Sequence, residues 1–319
     1  MGRQKPMVLC LTGPTASGKT EVAVAVCEAL NGEVICMDSM QIYQKLSIGT
    51  AIPSRQEMRG VPHHMLSVIS PDGFYTVYDY QQQARRIMHQ ILQRGKLPVF
   101  CGGTGLYLQA ITHPLSFTDA GTTDAIRKKL EQKLNLPNGR EALFEQLTKL
   151  DPAAARRMHP NNTRRVIRAL EVYESTGRPL SAQINDWEDE AEEDFLLFAL
   201  RWPREILYER INLRVDHMIA EGLVEEVEEI LRSGVTREMQ SMQAIGYREI
   251  IAMLSGECTK EEAVALIKRN TRRYAKRQLT WFRRDKGIQW IDRLDFDDSQ
   301  SVAEWIVGKV AERQKTGSI

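Results

Sequence analysis

Two glycine-rich stretches and one carboxylate hold the residue types best suited to chemistry. Gly13-Pro14-Thr15-Ala16-Ser17-Gly18-Lys19-Thr20 fits G-x-x-x-x-G-K-[ST], the loop whose backbone N–H groups cradle a diphosphate. It follows an apolar run, Met7–Thr12, and opens a helical stretch reaching Leu30, the context this pattern requires. The glycines let the chain turn tightly, the helix N-terminus and Lys19 stabilise phosphate charge, and Thr20 has the hydroxyl that ligates Mg²⁺. Such a diphosphate usually belongs to ATP or GTP, so a nucleotide is the first expectation for the loop. An ordinary NTPase also needs an apolar strand ending in a metal-binding Asp, and a residue that positions water. Asp292, in Gln-Trp-Ile-Asp, comes too late in the chain and precedes an acidic loop, so hydrolysis is poorly supported.

Asp38 stands at the end of a second apolar run, Glu33–Met37. Open α/β sheets bind their ligands at that edge. From the residues alone three roles fit it: a Mg²⁺ carboxylate acting through water, a general base, or a helix N-cap. Cys101-Gly-Gly-Thr-Gly-Leu-Tyr107 leaves another apolar run, Leu97–Cys101, at the same edge. Its three glycines surround Thr104, allowing close backbone approach and an exposed hydroxyl, or simply a tight turn.

The elements that must hold these residues read as alternating strands and helices. Tyr75–Arg94 is helical and stops at Gly95, and Phe195–Leu200 and Gly287–Ile291 supply further strands. Short apolar strands separated by helices predict an α/β fold with a parallel sheet of the P-loop kind. The alternation lapses from about Ser116 to Asp194, where Thr123–Leu134, Arg140–Leu150 and Asn162–Thr176 read as helices. We therefore expect a core of residues 1–115 and 195–319, with an all-helical insertion at 116–194 that ends in an acidic loop. Leu213–Gly234 reads as one more helix of the core.

Composition narrows the class. At 319 residues, with 42% hydrophobic and 27% charged content, the chain is long enough for a sizeable core and has the balance of a soluble globular protein. Its five cysteines, Cys10, Cys27, Cys36, Cys101 and Cys258, include no C-x-x-C pair, which argues against a disulfide framework or zinc site and for a reducing compartment. The first ten residues contain no apolar core of a signal peptide, Pro6 breaks the myristoylation pattern, and no apolar run reaches membrane-spanning length. A cytoplasmic protein without membrane contact is expected.

The net charge of +1 conceals an uneven distribution. Lys268–Lys286 has nine Lys or Arg against one Asp, while six of the seven residues Glu188–Asp194 are acidic. On a helical period Ile267, Tyr274 and Trp281 align as a buried side, leaving Arg269, Arg272, Arg273, Lys276, Arg277 and Arg283 on the other faces. Acidic partners at i±4 are missing, which favours a nucleic-acid surface over a merely solvated one. Asn161–Glu171 repeats the theme, with Arg164, Arg165 and Arg168 on one side.

Taken together, Gly13–Thr20, Asp38–Tyr43, Gly102–Tyr107, Arg164–Glu171, Ala244–Glu249 and Ala275–Arg283 resemble, in order, the motifs of the tRNA dimethylallyltransferase (tRNA isopentenyltransferase) family. The resemblance spans nearly the whole chain. It implies that the loop binds the diphosphate of dimethylallyl diphosphate with Mg²⁺ assisting. The five-carbon group would pass to the exocyclic amine of adenosine 37, next to the anticodon. It makes Asp38 the general base and Thr104 a hydroxyl at the reacting site. Arg214 corresponds to a diphosphate-holding arginine that nothing else in the sequence singles out. The segment Asp38, Ser39, Met40, Gln41 would read the target base. Tracts matching tRNA contacts are Arg127; Arg164, Arg165, Val166, Ile167 and Arg168; Gln243, Ala244, Ile245, Gly246, Tyr247 and Arg248; and Lys276, Arg277, Gln278, Leu279, Thr280, Trp281, Phe282 and Arg283. The target base must be flipped from its stack, at a cost of a few kcal/mol.

The absence of a Cys/His cluster near Ile319 resembles the short bacterial type, without the zinc finger of eukaryotic relatives. Nothing in the sequence demands an oligomer, so a monomer acting on the tRNA anticodon stem-loop is expected. The rival readings are a P-loop small-molecule kinase, an adenylate isopentenyltransferase acting on a free nucleotide, and a non-catalytic RNA-binding module. The two arginine-rich tracts argue against a free nucleotide as acceptor.

Overall fold

Five short apolar runs become strands because each is too short for a stable helix and is closed by glycine or polar residues. They are β1 (Met7–Thr12), β2 (Gly32–Cys36), β4 (Leu97–Cys101), β5 (Asp194–Arg201) and β6 (Gln289–Asp292), joined by a two-residue edge strand, β3 (His63–His64). The computed structural model describes residues 5–113, 124–183 and 192–316. All pairings are parallel, in the order β3-β2-β4-β1-β5-β6. The strand β3 has no apolar alternation and is not readable from sequence. It is held by a backbone bond from Val34 to Pro62 (2.9 Å) and by His64 Nε2 against Glu33 Oε2 (2.7 Å).

Residues of β1 point alternately to two cores, as the period of two requires. Leu9 and Leu11 pack with α1 (Lys19–Leu30), while Val8 and Cys10 face the larger core on the opposite side. That side carries α3 (Val77–Gln93) and α4 (Gly105–Thr112), after the single-turn α2 (Arg55–Met58). Fully burying an aliphatic side chain contributes about 2 kcal/mol, so the sheet is fixed mainly by these faces.

The chain divides into two compact units, Met1–Thr112 with Glu192–Ile319, and His113–Ala191. The second is helical: α5 (Asp124–Leu134), α6 (Gly139–Leu150), α7 (Pro152–Arg156), α8 (Thr163–Thr176) and α9 (Leu180–Gln183). Leu130, Leu143, Leu147, Val166, Ile167 and Leu170 form its core. The sequence boundary at 115/116 and Glu188–Ala191 of the acidic loop lie outside the described residues.

Five more helices complete the first unit: α10 (Arg204–Ala220), α11 (Leu223–Arg232), α12 (Tyr247–Leu254), α13 (Lys260–Phe282) and α14 (Ser299–Thr316). Val302 and Ile306 of α14 join Leu9 and Leu11 on the α1 side; Val215, Val227, Ile250 and Ile267 of α10–α13 enter the opposite core, while Leu207, Ile211 and Ala275 form a cluster of their own. Leu213–Gly234 is therefore two helices rather than one. Gly222, at φ 99°, takes the left-handed conformation that ends the ladder of α10 and caps α11.

Candidate active site

The order β2-β4-β1 brings three loops from distant parts of the sequence to one place. Cys36 lies opposite Cys101, and Cys101 opposite Leu11, so β2, β4 and β1 end level with each other. Backbone bonds stitch the ends together: Met37 N to Cys101 O (2.8 Å), Gly102 N to Leu11 O (3.2 Å) and Thr104 N to Met37 O (3.1 Å). Position 102 must be glycine, since a Cβ there would come within 2.1 Å of Met37 O.

The phosphate-binding loop is gripped from its outer side. Trp202 Nε1 donates to Ser17 O (3.2 Å), and Arg210 Nε donates to Ala16 O (2.9 Å) with its guanidinium over the Trp202 ring. Gln278 of α13 acts from the inner side, its Oε1 accepting from Thr15 N (2.9 Å) while Nε2 donates to Gly103 O (2.8 Å). One buried amide thus clamps the two glycine-rich loops together. Lys19 Nζ folds back onto Pro14 O at 2.7 Å. Removal from water lowers the Lys19 pKa to about 8; nearby Cys101 and Asp38 oppose the shift and Arg214 adds to it.

Gly13–Thr20 opens on two cavities, one of about 350 Å³ and one of about 650 Å³, with Lys19, Thr20 and Arg214 lining both. Arg210 and Arg214, four residues apart on α10, both address the loop region, Arg214 through Nη2 at 3.5 Å from Thr50 O. Burial lowers the Arg214 pKa, with Asp38 and Glu57 opposing the shift. The smaller cavity joins Lys19 and Arg214 to Asp38, Gly102, Gly103 and Tyr274, and to an aliphatic wall of Ile211, Val215, Met218 and Ile267.

Asp38 is not the helix N-cap that the sequence allowed, because no helix begins after it; the chain runs on in turns. Its Oδ1 instead accepts from Met40 N (2.9 Å) and Gln41 N (3.4 Å), closing an Asx-type turn. Oδ2 has no hydrogen-bond partner among the described residues, leaving an acceptor for a proton at the cavity. Thr104 Oγ1 accepts from Ser39 N (3.1 Å), tying the second glycine loop to this turn. Gln41 donates both amide hydrogens to its own chain, at Thr50 O and Ala51 O (3.0 Å each), and its oxygen accepts from Cys36 Sγ. Reading a base with this side chain would therefore use only its remaining oxygen lone pair.

The arginine-rich tracts separate into side chains that reach solvent and side chains that cannot. Arg164, Arg165, Lys276, Arg277, Thr280 and Arg283 are exposed. Val166 and Ile167 are buried in the core of the helical unit, and Tyr247 and Phe282 in that of the first, so none of these presents a side chain to solvent. Arg127 and Arg168 both pair with buried Glu171, at 3.3 and 3.1 Å. Arg248 pairs with Glu249 (2.7 Å), while Gln243, Ala244, Ile245 and Gly246 line the smaller cavity.

On α13 the seven-residue alignment holds only for Ile267. Tyr274 and Trp281 are half-buried, and Ala275, Gln278 and Phe282 are the buried side chains of that half, because a true helix drifts against a repeat of seven. Leu279 packs beside Ala275. Arg272 also turns inward, to Asn212 Oδ1 (2.6 Å), and Lys268 is neutralised by Asp216. The basic surface is thus smaller than the sequence implies.

Residues 41–285 match the IPP transferase family. The chain belongs to that family. A tRNA dimethylallyltransferase of Pelotomaculum thermopropionicum is 48% identical over 303 residues, covering 95% of this chain and 96% of the relative. One from Bacillus cereus is 45% identical over 308 residues, covering 96% of each. Among solved structures, the full-length tRNA isopentenylpyrophosphate transferase of Bacillus halodurans superposes with a TM-score of 0.73 at 42% identity, over 99% of this chain and 100% of the other. A eukaryotic dimethylallyltransferase captured acting on tRNA gives a TM-score of 0.80 at 29% identity, over 93% and 77%. Within this IPP transferase, Trp202 and Arg210 escape sequence reading, because nothing local marks a side chain that bonds the outside of a loop nearly two hundred residues earlier.

Proposed function

We propose that this enzyme moves a dimethylallyl group from dimethylallyl diphosphate to the exocyclic amine of an adenosine beside the tRNA anticodon. One observation carries the reading: a phosphate-binding loop opens on a cavity that also holds a carboxylate, fixed through one oxygen, and an aliphatic wall. An allyl tail attached to the diphosphate needs such a wall beside the loop. The adenine nitrogen attacks the allylic carbon, the C–O bond breaks, and diphosphate departs with the electron pair. Lys19, Arg214 and the loop amides take up the charge developing on the leaving oxygen, in a cavity where such interactions are strong. Asp38 Oδ2 receives the proton lost from nitrogen.

Thr20, exposed on the first turn of α1, would hold Mg²⁺. The donor fits: Thr20 lines both cavities beside Lys19, and Mg²⁺ accepts one or two protein oxygens with phosphates and water. Bound there, it would add charge neutralisation to the diphosphate. Arg164, Arg165, Lys276 and Arg277 supply phosphate contacts, and the enzyme works as a cytoplasmic monomer; no helix among the described residues is long and apolar enough to cross a membrane. The test is incubation with unmodified tRNA and either dimethylallyl diphosphate or ATP, followed by mass analysis of the nucleosides. Prenylated adenosine with the first donor is expected; ATP turnover without any prenylated nucleoside would overturn the reading.

A further inference from the structure

Glu226, on α11, makes a set of contacts that no sequence motif signals. Its Oε2 accepts from the backbone N–H of Ser47 (2.9 Å) and Ile48 (2.8 Å), and its Oε1 from that of Gly49 (3.2 Å). The Tyr247 hydroxyl donates to Oε1 at 2.6 Å. Successive N–H groups aimed at one point form an anion-binding nest. Here the chain fills the nest with its own carboxylate, and the buried tyrosine completes the seat.

The segment so held is a wall of the smaller cavity, through Gly49, Thr50 and Ala51. Its carbonyls meet residues on both sides of the reacting centre. Thr50 O and Ala51 O accept from Gln41, three residues after Asp38, and Thr50 O also meets Arg214 Nη2. Sterics enforce the same placement. A Cβ on Gly49 would lie 2.4 Å from the Tyr247 ring and 2.9 Å from Leu223 Cδ1, so the segment can lie this close only as glycine.

We infer that Glu226 is a positioning residue for the transfer reaction. Through residues 47–51 it fixes Arg214, on the leaving-group side, relative to the turn carrying Asp38, on the acceptor side. This rests on the proposed prenyl transfer. If the contact were only a loop anchor, its removal would change stability and leave the rate per folded molecule alone.

Two substitutions act on the latch from opposite sides. Glu226→Gln keeps the size but sets an amide NH₂ against the nest, and Gly49→Ala pushes the segment off Tyr247 with the carboxylate intact. Each is measured in the full chain by single-turnover prenyl transfer at saturating donor and tRNA, by tRNA Kd, and by thermal midpoint, normalised to the folded fraction. Each single change should slow the saturated rate about tenfold or more with tRNA Kd within about twofold, and the double change should be no slower than the slower single. Rates within about twofold of the parent, or effects that multiply in the double variant, would overturn the role. Calorimetry with inorganic diphosphate supplies an arm that needs no transfer: Glu226→Gln should weaken binding several-fold by loosening Arg214, and unchanged binding overturns the latch. Weakened diphosphate binding alongside a parent that never prenylates tRNA would sustain the latch and remove the reaction.

Discussion

Asp38→Asn separates the turn that one carboxylate closes from the proton transfer proposed for it. Oδ1 accepts from Met40 N and Gln41 N, at 2.9 and 3.4 Å, and an asparagine oxygen can accept both bonds, so the turn from 38 to 41 survives. The second oxygen becomes an NH₂ group, which cannot take a proton from the adenine amine. General-base catalysis contributes roughly 10²–10⁴ in rate, or about 3–5 kcal/mol of barrier. The single-turnover rate should fall by that factor, while donor KM and tRNA Kd stay within about twofold. Asp38→Ala should be equally slow and in addition less stable by about 1 kcal/mol, because it also gives up the hydrogen bonds that close the turn. The assay is rapid-quench prenylation with nucleoside analysis, with urea unfolding of both variants. An Asn variant within about fivefold of the parent rate would remove Asp38 from proton transfer and place the base elsewhere. Equal stability of the Asn and Ala variants would show that these hydrogen bonds do not hold the turn.

Three further outcomes follow from the site. Lys19 has its pKa lowered to about 8, and only the ammonium form attracts diphosphate, so donor affinity should fall as pH rises above about 8, by up to tenfold per unit. The donor Kd of Lys19→Met should show no such slope; a flat profile in the parent would mean the amine does not meet the diphosphate. Gln278→Leu leaves Thr15 N–H and Gly103 C=O without their partner, which should cost about 2 kcal/mol of stability and raise donor KM about tenfold with tRNA Kd little changed. An unaltered donor KM would show that the clamp does not shape the loop. Replacing both Lys276 and Arg277 with Ala should weaken tRNA binding and reduce the salt slope of log K by about one to two. An unchanged slope would mean that these exposed side chains meet no phosphate.

How much of this was legible in the sequence depended on distance along the chain. The phosphate-binding loop, its flanking strand and helix, and the parallel α/β class were readable because turn residues and apolar periodicity lie within short windows. Asp38 could be placed at the sheet edge, but the residues alone left it a metal carboxylate, a base or a helix cap; only the backbone shows that no helix follows and that one oxygen closes a turn. The break at Gly222 was hidden because apolar spacing continues across it, and the left-handed glycine is visible only in the backbone. Tyr247 and Gln278 sit in motifs that suggest RNA, yet one is buried against Glu226 and the other joins two loops. Their partners lie 21 and 263 residues away in sequence, beyond any pattern that local chemistry can impose.

The central claim is that the loop's diphosphate leaves by carbon–oxygen cleavage, as an alkyl donor's must. Dimethylallyl diphosphate with heavy oxygen in the position bridging carbon and phosphorus tests it directly, by mass analysis of the products after one turnover on tRNA. All of the label should appear in the released diphosphate, with an unlabelled prenyl group on adenosine. Label retained on the five-carbon fragment would mean that a phosphorus–oxygen bond broke instead, and the site would be one for phosphoryl transfer.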